Sequence, residues 1–385
     1  MRPPFRPILW ETLFLECATD LPGDLASLLS AGNGALPHVR YIHIYANTNE
    51  TVNFNPISNF GVAVGLIIGA LRRDSLLGVT FDLAVSMSIM LSLLQSQKSL
   101  KTLRIREPIP DDSPSLSMSL ITHDSWVAPT LNSILELRIP LSIHDDKTYT
   151  TSAYLLKNTP KLQSLCLIGE IPVPSLLDRL GEHDAFGGPH ADGAAIQTLQ
   201  LDTLQLLWLN IQTYPASLFS CINFSSLRSL YISHCRFIGA FLSAFVAGFP
   251  RATALRNLEI SVIPGPTPSD TDIQAMEAMV ASAPWLEELW LDVGKGRAIN
   301  VSCLAGLGQS LRHLALAASC GSQPPPYYTS SELGKLLKQI PSLERLCINL
   351  YPIALGKVQH LAVKFRLSEQ AEDGSDSHEV TALLV

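Results

Sequence analysis

The chain has 385 residues, a net charge of −7 and a pI near 5.8, so it lacks the concentrated basic surface that sequence-independent nucleic-acid binding requires. With 47% hydrophobic and 16% charged residues it is too apolar to be disordered over most of its length. Its longest apolar stretches, Gly61 to Leu71 and Phe237 to Phe249, fall short of the roughly twenty residues that span a bilayer, so no membrane segment is expected.

The start, MRPPFRPILWETL, has no continuous apolar region and no small-residue cleavage pattern. The expected location is therefore intracellular, cytoplasmic or nuclear. Seven cysteines without a CxxC pair then read as reduced thiols, and the sequons at Asn49, Asn223 and Asn300 carry no weight. Residues 1–35 are read as an N-terminal capping segment, 36–365 as an irregular repeat solenoid and 366–385 as an acidic, disordered tail.

The solenoid reading rests on a frame, LxxLxL with aliphatic variants, that returns roughly every thirty residues. In chain order its eleven copies are Val39/Ile42/Ile44, Leu76/Val79/Phe81, Leu100/Leu103/Ile105, Ile134/Leu137/Ile139, Leu162/Leu165/Leu167, Leu204/Leu207/Leu209, Leu227/Leu230/Ile232, Leu255/Leu258/Ile260, Leu286/Leu289/Leu291, Leu311/Leu314/Leu316 and Leu343/Leu346/Ile348. Each frame buries three aliphatics at about 1.5 to 3 kcal/mol apiece. Ordering a unit of about 28 residues costs about 1 to 2 kcal/mol per residue in backbone entropy. No repeat stands alone, and neighbours must stack.

Helices are predicted between frames at Tyr149 to Asn158, Phe237 to Phe249, Asp270 to Ala283 and Thr329 to Ile340, each stopped by a proline one or two residues later. Ser269, Asp270 and Thr271 are candidate N-caps. Glu107 to Ser125 and Gly181 to Gly193 read as loops. Strand followed by helix in every repeat predicts an α/β leucine-rich-repeat solenoid, a horseshoe with a parallel sheet on the concave face and helices on the convex face.

Because side chains alternate along a strand, the residue between the second and third frame aliphatics is expected on the open, concave face. That column reads His43, Thr80, Arg104, Arg138, Cys166, Trp208, Tyr231, Glu259, Trp290, Ala315 and Cys347, with Arg106, Glu288 and Asp292 beside it. It is basic early and acidic later. Aromatics and arginine dominate interface hot spots, so the predicted partner-binding set is Arg104, Arg138, Trp208, Tyr231, Glu259, Glu288, Trp290 and Asp292.

Two frames extend to LRSLYISHCRF and VRYIHIYANTN, carrying the Cys or Asn three residues after the third aliphatic that leucine-rich repeats place there. The irregular spacing resembles the intracellular repeats of F-box proteins, and the segments PILWETLFLE and LPHVRYIHIY are similar to their fungal members, so the resemblance covers about residues 5 to 365. It implies the substrate-recognition region of an F-box ubiquitin-ligase receptor, whose F-box docks a Skp1-type adaptor. An F-box opens with a sequence like LPxEL and runs about forty residues. Here LPGDL at Leu21 to Leu25 is followed fourteen residues later by the first frame, at Val39. The alternative is a leucine-rich-repeat scaffold or inhibitor unconnected to ubiquitin ligases.

No catalytic residues, metal or cofactor are expected. His183, Asp184, His190 and Asp192 gather in one glycine-rich loop without diagnostic ligand spacing, and a metal-dependent hydrolase built on them is the remote alternative. GKGRA at Gly294 to Ala298 lacks the order of a phosphate loop.

Overall fold

A computed structural model of the chain describes residues 11–17, 28–30, 36–46, 57–83, 86–106, 124–141, 152, 154–169, 198–211, 222–248, 254–262, 268–294, 298–317, 328–348 and 381–382. The chain divides into two compact units, Met1–Ile171 with Ser175–Leu199, and Gln200–Val385 with Pro172–Pro174.

In the first unit six strands pair in parallel in sequence order: β1 (Thr12–Cys17), β2 (Tyr41–Ala46), β3 (Gly78–Phe81), β4 (Thr102–Ile105), β5 (Glu136–Pro140) and β6 (Ser164–Ile168). Helices α1 (Ile57–Ala70), α2 (Met87–Ser96) and α3 (Asp124–Leu131) connect successive strands and pack on one another in the same order. Frame aliphatics fill the space between sheet and helices. Ile44, Leu76, Phe81, Leu100 and Leu103 are at most 1% exposed, packed with Ile67, Ile68, Met90, Leu93 and Leu94 of the helices.

The second unit repeats the plan with β7 (Thr203–Leu207), β8 (Ser229–Cys235), β9 (Asn257–Val262), β10 (Glu288–Asp292), β11 (His313–Ala317), β12 (Arg345–Ile348) and the two-residue β13 (Thr381–Ala382), again all parallel and in order. Helix α4 (Ile238–Gly248) packs on α5 (Asp270–Ser282), and α5 and α6 (Ser330–Gln339) both pack on the 3-10 turn Val301–Leu307. Phe224, Phe241 and Phe245 form a buried cluster, with Phe224 edge-on to Phe245 at 5.2 Å.

Stops and caps follow the sequence. Helix α5 ends before Ala283–Pro284 and α6 before Ile340–Pro341. Of the three candidate caps, Ser269 is the N-cap: its hydroxyl accepts from the Asp272 N–H, while the Asp272 carboxylate accepts from the Ser269 N–H in a capping box. Thr329 and Glu332 build the same box on α6.

A recurrent backbone device sets the strand register. The two N–H groups at the mouth of each strand both donate to one carbonyl of the preceding repeat: Lys101 and Thr102 to Leu77, Leu135 and Glu136 to Lys101, Arg256 and Asn257 to Arg228, Glu287 and Glu288 to Arg256. The accepting residue always follows the first frame aliphatic. Serines just before the frame tie the same level together, since Ser133, Ser226 and Ser342 donate their hydroxyls to the carbonyls of Leu100, Leu201 and Leu311, the first aliphatics of their preceding repeats. Gln97, fully buried, accepts through its side-chain oxygen from both the Ser75 and Leu76 N–H groups at 3.0 Å.

The same device corrects one frame. Arg228 and Ser229 donate to Asp202, so the first aliphatic of β7 is Leu201, and the triplet is Leu201/Leu204/Leu206 rather than Leu204/Leu207/Leu209. Leu201, Leu204 and Leu206 are fully buried, whereas Leu207 is half-buried. Leu209 stands three residues after the third aliphatic, the position Cys235 fills in the next repeat, where its thiol donates to the Leu206 carbonyl at 3.3 Å. Strand β1 lies within residues 1–35 and β13 within 366–385, and the connections also carry helices α1 to α3, which no proline stop marks.

Candidate functional site

Strand register brings the predicted column into line within each unit. In the first, Phe14, His43, Thr80, Arg104, Arg138 and Cys166 are partners across β1 to β6. In the second the row runs Gln205, Tyr231, Glu259, Trp290, Ala315 and Cys347 across β7 to β12. Trp208 does not belong to it. The tryptophan follows the end of β7 with φ +59°, and its ring stacks on His234, itself at φ +56°, with centroids 4.3 Å apart. Gln205 holds the column position instead. The run LQLDTLQLLWLN satisfies LxxLxL from Leu201 and from Leu204 alike, so spacing could not separate the two.

Phe14, 61% exposed, heads the first row, and the frame does not reveal it because Trp10 stands where an aliphatic is needed three residues before Leu13. Its ring lies 5.7 Å from that of His43, whose Nε2 is 2.6 Å from Asp82 Oδ2. Arg104 donates from Nε to Glu136 Oε1 at 2.7 Å, with Nη2 2.6 Å from the same oxygen. The Arg138 Nε is buried and has no acceptor among the described residues. Beside it Cys166 is 6% exposed, and burial pushes its thiol up to about 11 against the opposing pull of the Arg138 and Arg104 guanidiniums. A thiol so held is protonated at neutral pH and unsuited to nucleophilic attack.

In the second unit an open trough of about 450 Å³ lies over β8 to β12. Tyr231, Glu259 and Trp290 form one part of its lining, the small residues Ala315 and Cys347 another, and His313 stands at its edge. Trp290 is 49% exposed. Glu259 Oε1 accepts the Ser233 hydroxyl at 3.2 Å, and no cation pairs with Glu259 among the described residues. Glu288 is committed to His313 Nδ1 at 3.0 Å, and Asp292 accepts the Gly294 N–H at 2.9 Å.

Among the described residues no group of three or more His, Cys, Asp or Glu side chains could hold a metal ion, and no helix is long and apolar enough to cross a membrane. His183, Asp184, His190 and Asp192 lie outside the described residues.

The sequence matches no family model and no curated protein. Among solved structures the chain is similar to a leucine-rich-repeat protein of Leptospira interrogans, at 14% identity and a TM-score of 0.38, over 94% of this chain and 91% of that one. It is also similar to a Bacteroides fragilis protein, at 13% identity and a TM-score of 0.33, over 89% and 76% of the respective chains. The leucine-rich-repeat solenoid fold follows from the chain's own geometry: frame aliphatics at parallel register, one strand per repeat, connections packed on one side.

Proposed function

We propose that this chain is a protein-binding solenoid that grips its partner with the open face of its strands and performs no chemistry of its own. The observation that carries the reading is Trp290, about half exposed, in register with Tyr231 and Glu259 over a trough that no described segment fills. Aromatic side chains at a concave site supply large contact area at small entropic cost, the makeup of an interface hot spot. Arg104 and Arg138 of the first unit, and Glu288 and Asp292 beside Trp290, extend the binding set. Trp208 stands outside the row, its ring stacked on His234 and 47% exposed, and stays in the set as a flanking aromatic.

The finer reading, that the partner is a substrate of an F-box ubiquitin ligase and that a Skp1-type adaptor joins the complex, rests on the resemblance of LRSLYISHCRF and VRYIHIYANTN to the repeats of that family. Affinity purification of the wild-type chain and of a Tyr231→Ala/Trp290→Ala variant, with quantitative mass spectrometry, tests both levels. Partners retained by the first and lost by the second support the binding face, and equal retention overturns it. Co-purification of the adaptor with wild type supports the ligase role. Partners without adaptor leave a scaffold.

A further inference from the structure

Tyr231, Glu259 and Trp290 sit on three adjacent strands at the same level, so a carboxylate lies between two aromatic side chains. Neighbouring strands stand about 4.8 Å apart, which places a group above Glu259 within cation–π reach, about 6 Å, of both rings. Glu259 is half-buried, receives one neutral hydroxyl and meets no cation among the described residues. Two aromatic side chains thus flank one carboxylate that holds no cation among the described residues. Glu288, the other carboxylate lining the trough, is already paired with His313. Beyond Trp290 the row drops to the small residues Ala315 and Cys347, with His313 and Arg345 also lining the trough on those strands.

We infer that this row is a subsite for an arginine side chain of a protein partner, whose guanidinium stacks between Tyr231 and Trp290 and donates to Glu259 while an aliphatic neighbour rests on Ala315 and Cys347. The inference rests on the protein-binding reading above and gives that surface its ligand chemistry. Arginine is favoured over lysine because a planar guanidinium can stack and make two directed hydrogen bonds at once, which a compact ammonium cannot.

The test uses the full chain and fluorescein-labelled nonapeptide mixtures with randomised flanks and a fixed central arginine, lysine, norleucine or glutamate, read by fluorescence anisotropy. The arginine mixture is expected to bind about tenfold tighter than norleucine, the scale of about 1.4 kcal/mol, and to weaken with added salt. Glu259→Gln should remove that preference while leaving the norleucine mixture unchanged. Trp290→Phe should retain the preference, and Trp290→Ala should lose it. Matching thermal unfolding of each variant to wild type excludes misfolding as the cause. Lysine or norleucine binding as tightly as arginine overturns the assignment, as does an arginine preference that survives Glu259→Gln, or no binding of any mixture at 1 mM. The protein-binding reading fails separately, when the Tyr231→Ala/Trp290→Ala variant keeps every partner of the wild type.

Discussion

Single side chains hold this fold where the backbone leaves hydrogen-bonding groups unpaired. Gln97 receives two buried N–H groups, so Gln97→Leu strands both, each at about 1 to 3 kcal/mol. A corresponding drop in the urea midpoint, with little change in slope, is the expected outcome. Cys166 and Cys235 give a pH prediction. Burial raises both thiols, from 9.0 to about 11 and about 12 respectively, so both remain neutral in the folded state while the unfolded chain ionises from pH 9 upward. Their contribution is intact below pH 9 and is lost between pH 9 and about 12, so stability falls over that range by linkage. Alkylation mapped by mass spectrometry should find both thiols unreactive in native protein at pH 8 and reactive in urea. The sequons at Asn223 and Asn300 have a structural explanation that the sequence pattern concealed: each Asn side chain accepts the N–H of the Ser two residues on and caps a 3-10 turn.

At the level of elements, caps and close approaches decide where helices begin. Ser269→Ala should cost about 0.5 to 2 kcal/mol by removing one arm of the α5 capping box, measured as a shift in thermal midpoint. Gly239 sits under the start of α5, where a Cβ would lie 2.5 Å from Asp272 Oδ1, the atom that accepts the Gly239 N–H. Gly239→Ala should therefore displace that carboxylate and destabilise by about 1 to 3 kcal/mol. Proline stops and Ser/Thr caps made α5 and α6 legible in the sequence. Helix α1, ISNFGVAVGLIIGA, is apolar on most sides and no proline stops it, so periodicity alone does not mark it. The β7 register is misread from sequence for the opposite reason, an excess of leucines. What would have separated its two readings is a long-range hydrogen bond, Asp202 to the next repeat, which no local pattern encodes.

Across the molecule, core and open face are carried by alternate residues of the same strands, so stability and binding should separate. Phe245→Ala, in the buried phenylalanine cluster, is expected to cost about 3 to 5 kcal/mol. Trp290→Ala, on the open face, should change stability by no more than about 0.5 kcal/mol; parallel urea titrations check the contrast. The repeat frame and most of the column were readable because both follow from strand alternation, whereas pairing within the face depends on which repeat lies beside which. Asp82 with His43 and Glu136 with Arg104 are more than thirty residues apart in sequence. Strands β1 to β12 each lend one letter to their unit's open row, and apart from Cys166 and Ala315 those letters lie outside the buried core. A lineage, or an engineer, can therefore respell the word one repeat at a time and so drift from one client to another while the hydrophobic spine beneath stays as it was.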